Sequence, residues 1–342
     1  MAVSLKDVAR LAGVSIKTVS NVVNDYPFVS ADTRSRVRAA LETLDYRPNT
    51  SARGLRTGRT DLIALAIPAL DEPYFAELAG LIVEAAARQG WTVLIDQTGG
   101  DRAREQLAAG GSRLHRIDGS IISPLALSSA DVAELVRQRP MVLLGERFPH
   151  PSVDHVAVDN VQAAREATRH LIELGRQRIA FLGAQSRGRT GSVRLAGFRS
   201  ALAEAGQRPD PGLVLRTGPF RRAEGAAAMA RLLADRQPPD AVFCANDLLA
   251  AGAVRTLLSH GLRVPEDVAV VGFDDIAEAR FSTPTLTSVA PDKREIAEQA
   301  VRLLCRRIRE GSTAPPMDVV AGHQLRIRES SAGSAATSDP PG

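Results

Sequence analysis

This sequence has few cysteines and few aromatic residues, and it lacks a long hydrophobic run. Its two cysteines, Cys244 and Cys305, do not form a C-x-x-C motif, so we expect neither a disulfide framework nor a cysteine metal site. No apolar run approaches the ~20 residues needed to cross a bilayer, and the opening MAVSLKDVAR has no apolar signal core. The sequence therefore predicts a cytoplasmic protein without a membrane partner.

Sequence motifs of common enzyme classes are also missing. No G-x-G-x-x-G opens a helix after the first predicted strand, and neither G-x-x-x-x-G-K-[ST] nor G-x-S-x-G occurs. The six histidines show no metal-ligand spacing. We therefore expect no catalytic residues, no metal, no cofactor and no enzymatic activity.

Positive charge is concentrated at the start of the chain, although the formal net charge is only +4. Residues 1–59 contain ten Lys and Arg against five Asp and Glu, whereas the rest of the chain contains 33 against 34. A basic terminal segment on a neutral body is typical of proteins that bind the phosphate backbone of nucleic acids. Charge alone leaves open a basic face that is merely solvated.

The basic segment has the pattern of a helix-turn-helix. Ser4 and Asp7 are spaced as a capping box, and Gly13 suits the left-handed turn that ends a first helix. Ser15 can cap a second helix that runs to residue 24, and a third helix over residues 30–44 closes the small core. In such a pair the second helix enters the major groove and presents its N-terminal residues to base edges.

From residue 61 to residue 329, apolar segments of strand length alternate with amphipathic helical segments. Strands are predicted at 62–67, 91–95, 119–123, 141–145, 155–158, 179–183, 241–245 and 268–273. Helices are predicted at 75–89, 163–174, 193–205, 248–260 and 293–309. This alternation predicts parallel sheets covered on both faces. Because the units are too many for one ordinary sheet, we expect two doubly wound lobes with a ligand cleft at the strand ends.

The stretch LKDVARLAGVSIKTVSNVVNDYPFVSADTRSRVRAALETLDYRPNTSARGLR closely resembles the head of lac/galactose-repressor-family regulators. The resemblance continues through RLAGFRSAL at 194–202, CANDLLAAGAVRTL at 244–257, GLRVPEDVAVVGFDD at 261–275 and TPTLTSV at 283–289. It implies an α/β protein: an N-terminal all-α helix-turn-helix head plus two doubly wound α/β lobes like those of a periplasmic sugar-binding protein.

The resemblance also suggests a domain plan. The expected parts are a DNA-binding head at 1–47, a hinge helix or linker at 48–60, and an effector-binding and dimerisation domain at 61–329. Within that domain we expect an N-lobe at about 61–160 and 291–320 and a C-lobe at about 161–290 and 321–329. The low-complexity end, residues 330–342, is expected to be a disordered tail.

Roles for head residues follow from the resemblance. Ile16, Lys17 and Asn21 match positions that read bases in the major groove, where Lys17 can donate to guanine and Ile16 can touch a thymine methyl. The remaining predicted contacts hold the head on phosphates, which gives affinity rather than sequence information. These are Ser15, Thr18, Ser20 and Asn24. Simple solvation is the alternative for each side chain.

Residues 50–56, TSARGLR, resemble the hinge helix of the family. The segment is shorter than the ~12–15 residues that an isolated helix needs in water, so we expect it to fold only on DNA. Leu55 matches the leucine that wedges between central base steps in the minor groove, and Arg53 and Arg56 lie close enough to hold the backbone. A plain linker is the alternative.

The predicted ligand cleft combines polar and aromatic side chains. Arg194 matches the arginine that binds ligand hydroxyls or a carboxylate in relatives, while Asn246 and Asp274 follow two predicted strands. Tyr74, Phe75 and Phe220 offer apolar faces, and Thr190 and Glu146 complete the set, although Gly145 competes with Glu146 for its position. Helix capping, ordinary core packing and an interlobe ion pair are the structural alternatives for these residues.

The expected partners are double-stranded operator DNA, a second copy of the chain and a small-molecule effector. One head buries too little surface for specific binding, so two half-sites of a palindrome are read by a dimer. By resemblance we expect a repressor, with an activator as the alternative, and an effector that is a mono- or disaccharide. A purine or nucleoside effector remains open, and so does a sugar-binding protein without DNA activity.

Overall fold

The computed structural model describes residues 3–23, 25–46, 59–111, 116–146, 152–184, 190–311 and 315–333. The chain divides into two compact units, Met1–Thr60 and Asp61–Gly342. Among the described helices, none combines the length and the apolar composition needed to cross a membrane.

The described residues of the first unit form a head of three helices. Its helices are α1 (Leu5–Ala12), α2 (Ile16–Val23) and α3 (Ala31–Thr43). The carboxylate of Asp7 accepts the backbone N–H of Ser4 at 3.1 Å, which gives α1 its N-terminal cap. Gly13 has φ 65°, and ends α1 in the left-handed conformation that glycine adopts without strain. One valine from each helix, at positions 8, 19 and 37, is 0% exposed and holds the head core together.

The second unit contains two six-stranded sheets within its described residues. The first sheet is built from β1 (Leu62–Ile67), β2 (Thr92–Gln97), β3 (Gly119–Ile122), β4 (Met141–Leu144), β5 (Asp154–Val158) and β11 (Asp318–Ala321). Its strand order is β11-β5-β4-β3-β1-β2, and every pairing is parallel. Apolar strands whose two faces are both buried require helices on either side.

The second sheet has the order β12-β10-β9-β8-β6-β7, in which only β12 runs antiparallel to its neighbour. Its strands are β6 (Ile179–Ala184), β7 (Val214–Arg216), β8 (Ala241–Cys244), β9 (Ala269–Phe273), β10 (Thr287–Pro291) and β12 (His323–Arg326). The chain passes between the sheets near residues 159, 292 and 322, where a strand of one sheet is followed by an element that packs on the other.

Ten further helices cover the described parts of the two sheets or connect their strands. They are α4 (Pro73–Arg88), α5 (Arg102–Gly110), α6 (Ser129–Gln138), α7 (Asn160–Glu173), α8 (Thr190–Glu204), α9 (Arg222–Leu233), α10 (Asp247–Ser259), α11 (Glu278–Phe281), α12 (Lys293–Glu310) and α13 (Glu329–Ala332). The α/β fold class with a helix-turn-helix head is therefore confirmed, and each of the predicted strands corresponds to a real one.

The predicted disordered tail, residues 330–342, was assigned a start that is too early in the chain. Residues 329–332 form the short helix α13, and Ser330 and Ser331 are buried. The Ser330 hydroxyl donates to the carbonyl of Val270 at 2.6 Å, which ties this turn to β9. These residues were assigned to the tail because the segment is rich in small polar residues. Composition alone does not predict that such residues hydrogen-bond to the sheet. Residues 334–342 lie outside the described part.

Close packing of α9 against α10 depends on glycine. A Cβ added to Gly252 would stand 2.0 Å from the carbonyl oxygen of Arg222, and one added to Gly225 would stand 2.1 Å from that of Leu249. Both obstacles are backbone atoms, so relief requires the two helices to move apart. Two glycines thus set the distance between the helices.

We expect Gly252→Ala to destabilise the two-lobed unit by about 3 kcal/mol, at the upper end of overpacking costs, because backbone cannot yield as a side chain does. Gly80→Ala, in α4, is the matched control, since nothing lies within 4 Å of its added Cβ. That change should stabilise the unit by about 0.5–1 kcal/mol through the helix preference of alanine. Urea unfolding followed by circular dichroism measures both; equal midpoints for the two variants would contradict the packing argument.

Candidate nucleic-acid interface and ligand cleft

Helix α2 is positioned by a cap and by two buried valines. The hydroxyl of Ser15 accepts the backbone N–H of Thr18 at 3.0 Å, which satisfies a donor of the first turn. Val19 and Val22 face the head core, with 0% and 4% of their surface exposed. The opposite face of α2 is consequently turned outward.

Of the predicted DNA-contacting residues, Ile16 and Lys17 are exposed at the start of α2. Ile16 is 49% exposed although it is aliphatic, which leaves a large apolar side chain in water at the start of the helix. The described candidates divide into the exposed Ser15, Ile16 and Lys17 and the half-buried Thr18, Ser20 and Asn21. Asn24, Arg53, Leu55 and Arg56 lie outside the described residues.

Arg194 is the centre of a buried polar cluster in the second unit. Its Nε donates to Oδ1 of Asn160 at 2.8 Å, and one terminal nitrogen donates to the carbonyl of Ala245. The other terminal nitrogen lies 3.5 Å from Oδ1 of Asp274. The guanidinium carbon sits 3.3 Å from the centre of the Phe273 ring, so the planar group is held on its face as well as at its edges.

Asp274 carries both backbone strain and a perturbed charge. Its φ of 106° is one that side chains other than glycine rarely adopt, and such strain concentrates at functional sites. Burial raises the pKa of Asp274 to about 6 from an ordinary 3.8, and the opposing attraction of Arg194 limits the rise. The carboxyl group is therefore poised to change protonation near neutral pH.

Electrostatic coupling places Tyr74 and Glu146 beside this pair. Burial raises the pKa of the Tyr74 hydroxyl; among nearby charges, Asp274 and Glu146 raise it further and Arg194 lowers it. The Tyr74 and Phe75 rings meet edge to face, with centroids 5.3 Å apart. Five of the eight predicted ligand residues thus lie in one neighbourhood: Arg194, Asp274, Glu146, Tyr74 and Phe75.

Asn246, Phe220 and Thr190 have structural duties as well. Oδ1 of Asn246 accepts the N–H of Leu249 at 3.0 Å and so caps α10, while its amide nitrogen is 3.5 Å from the Phe220 carbonyl. Half-buried Phe220 packs against the core of the second sheet. Thr190 is the first residue of α8, one turn before Arg194.

Several residues of this region were missed from the sequence. Asn160, which orients Arg194, lies two residues after the end of β5 and begins α7. An ion pair of 2.9 Å joins Asp71, after β1 of the first sheet, to Arg221, before α9 of the second. Asp71 and Arg221 are 150 positions apart, so a single sequence does not predict that they pair, and the contact is known only from the fold.

The described residues contain no group of three or more His, Cys, Asp and Glu side chains placed to hold a metal ion. Both cysteines are free and buried. The Arg194 cluster offers hydrogen-bonding groups, charges of both signs and aromatic ring faces to a ligand.

The perturbed carboxyl group leads to a prediction for Asp274→Asn. Because the folded pKa lies above the unfolded value, the stability associated with the protonated form is present near pH 4 and is lost as pH rises through about 6. Wild type should therefore lose unfolding free energy relative to the variant between pH 4 and pH 7. Urea titrations at pH 4.5, 5.5, 6.5 and 7.5 give this difference, and a pH-independent difference would contradict the assignment.

Comparisons with known proteins agree with this architecture. Residues 4–49 match the family described as bacterial regulatory proteins, lacI family, and residues 168–331 match a periplasmic binding protein-like domain. The chain is 35% identical over 307 residues to the HTH-type transcriptional repressor PurR of Haemophilus influenzae (strain PittEE), covering 89% of this chain and 91% of the relative.

Two solved structures extend the likeness to nearly the whole chain. The transcriptional regulator CelR–cellobiose complex is 35% identical, with a TM-score of 0.70 and coverage of 96% of this chain and 99% of that one. The lac repressor dimer bound to operator and the anti-inducer ONPF is 28% identical, with a TM-score of 0.86 and the same coverage of 96% and 99%.

Proposed function

We propose that this chain, which belongs to the lacI family of DNA-binding transcriptional repressors and is not an enzyme, binds a palindromic operator as a homodimer. A sugar in the cleft between its lobes switches this binding. The head, residues 1–47, reads the half-site. The hinge, residues 48–60, folds when two copies meet on the minor groove. A repressor meets its operator in the cytoplasm, so the protein acts there.

The Arg194–Asp274 pair carries the sugar proposal. A sugar hydroxyl both donates and accepts, and it therefore matches a guanidinium donor and a carboxylate acceptor that stand 3.5 Å apart. Tyr74 and Phe75 add apolar ring faces against which the C–H face of a pyranose can stack. The solved CelR relative, whose structure is described as a cellobiose complex, supports the same ligand class.

A purine or nucleoside is the second candidate, and two observations favour it. Curated relatives at 35% identity are named PurR, and the Tyr74–Phe75 pair is also suited to the flat face of a heterocycle. A carboxyl group with a pKa of about 6 can pair with a ring N–H in its ionised form. Ligand panels must therefore contain both classes.

The switch that we propose acts on the lobes. Asp71 and Arg221 join the two sheets across the chain, and a ligand that favours one lobe orientation changes this contact. The lobes of a dimer in turn set the distance between the two hinge starting points. Only a ligand with different affinities for the two orientations can shift the equilibrium.

Operator selection from a random duplex pool tests the proposal, run without additive and then with cellobiose, glucose, hypoxanthine and guanine. We expect enrichment of a palindrome and a change in yield with a sugar. A response to the purines alone would replace the sugar by the second candidate. Recovery of no palindrome, or of single half-sites, would overturn the dimeric operator complex.

A further inference from the structure

An open cavity of about 700 Å³ adjoins the Arg194–Asp274 cluster, because the charges of Glu77 and Lys293 in its lining act on Asp274. It is bordered by Glu77 of α4, by Asp275 and Arg280 around α11, and by residues 290–294 and 322–324, where the chain passes between the sheets. None of the eight predicted ligand residues lines it. Its size falls within the range of small-molecule sites.

The acidic groups of this cavity are already engaged by the protein. The two oxygens of Glu77 accept the N–H of Ala277 at 2.9 Å and the ammonium of Lys293. Oδ1 of Asp275 accepts from Arg328 at 2.7 Å. The third acid, Asp292, caps α12 through the N–H of Glu295 at 2.8 Å. Lys293, the one lysine of the lining, is neutralised by its contact with Glu77.

Three arginines of the lining have no hydrogen-bonded carboxylate among the described residues. Arg280 has its nearest carboxylate oxygen, on Asp275, at 3.8 Å, too far for a hydrogen bond. The guanidinium groups of Arg294 and Arg326 form no hydrogen bond or ion pair with any residue that the structure describes. The net charge presented to the cavity is therefore positive, supplied by planar groups suited to bidentate oxygen ligands.

We propose that this cavity is a second ligand site, which binds a small polyanion bearing two or more phosphate or carboxylate groups. Arginine forks recognise both groups through paired N–H···O bonds, and three of them on different elements suit an anion with separated charges. Arg280 stands on α11, Arg294 on α12 and Arg326 on β12, so one ligand would hold the passage between the lobes from three sides.

This placement couples the site to lobe movement. Arg294 belongs to a helix that packs on the first sheet, whereas Arg326 belongs to the second sheet and Glu77 to the first-sheet helix α4. An anion held between them favours one lobe orientation over the other. By reciprocity, such a ligand changes the affinity for the cleft ligand by the same factor in each direction.

Titration calorimetry on the full chain tests the proposal with pyrophosphate and with citrate, at fixed ionic strength and without divalent cations. We expect one saturable site per chain for at least one of these probes, and the tighter one identifies phosphate or carboxylate as the preferred group. Arg280→Gln, Arg294→Gln and Arg326→Gln should each weaken binding about tenfold or more, as expected for a lost charge-assisted pair.

Arg236→Gln is the matched control, because Arg236 is exposed on the same unit and does not line the cavity. It should leave the affinity unchanged. Binding that survives all three cavity substitutions would place the anion elsewhere, for instance on the basic head, and would overturn the proposal. So would the absence of binding by both probes, or an equal loss in Arg236→Gln.

Discussion

Arg194→Met is expected to abolish the response of operator binding to the cleft ligand and to destabilise the two-lobed unit by about 3–5 kcal/mol at pH 7. The substitution keeps an unbranched apolar stem but removes the charge that faces Asp274, whose side chain is only 11% exposed. It also leaves Oδ1 of Asn160 and the carbonyl of Ala245 without their donors. Buried acceptors without partners are costly.

The loss of unfolding free energy in Arg194→Met should depend on pH, because protonation removes the charge of Asp274 that the variant leaves unpaired. Near pH 5 the carboxyl group of the variant is neutral and the loss shrinks. Arg199→Met is the matched control, since Arg199 lies on the same helix and is exposed. Urea unfolding and operator titration with ligand measure both effects. An Arg194→Met protein that keeps its ligand response would remove Arg194 from the site.

Lys17→Ala is expected to weaken specific operator binding about 5- to 150-fold, the range for one lost base-reading contact of about 1–3 kcal/mol. Lys17 is exposed on the outer face of α2, behind which Val19 and Val22 fix the helix to the head. The substitution removes no buried contact, so the head itself should stay folded. Its base preference at one position should relax in a repeated operator selection.

Lys6→Ala removes the same charge from the exposed surface of α1 and serves as the control. It should reduce binding to all duplexes by a small and salt-dependent factor without changing base preference, as a phosphate contact does. Equal losses in the two variants, with unchanged selection profiles, would mean that α2 does not read bases.

Much of the fold follows from local sequence signals. Gly13 and the Ser4–Asp7 cap define the first helix, and short apolar runs such as 62–67 mark central strands because both their faces are buried. Strands β7, β10, β11 and β12 were not predicted. They are short or lie at sheet edges and crossings, where half-exposed residues such as those of 318–321 dilute the apolar pattern.

Only part of the candidate site was predicted from the sequence. Arg194 and Asp274 were predicted from the resemblance and from strand ends, and the structure brings them within 3.5 Å. Asn160 and the Asp71–Arg221 pair were missed, because contacts between distant segments depend on tertiary packing. The strained φ of Asp274 was invisible for the same reason: only the surrounding fold can hold a non-glycine residue there.

The central claim is that the head inserts α2 into duplex DNA while the unit behind it decides when two heads do so together. It is tested most directly by measuring the affinity for the selected operator of the full chain and of a chain lacking residues 1–60. We expect the shortened chain to lose specific binding altogether while still binding the cleft ligand. Unchanged operator affinity after removal of residues 1–60 would contradict the account.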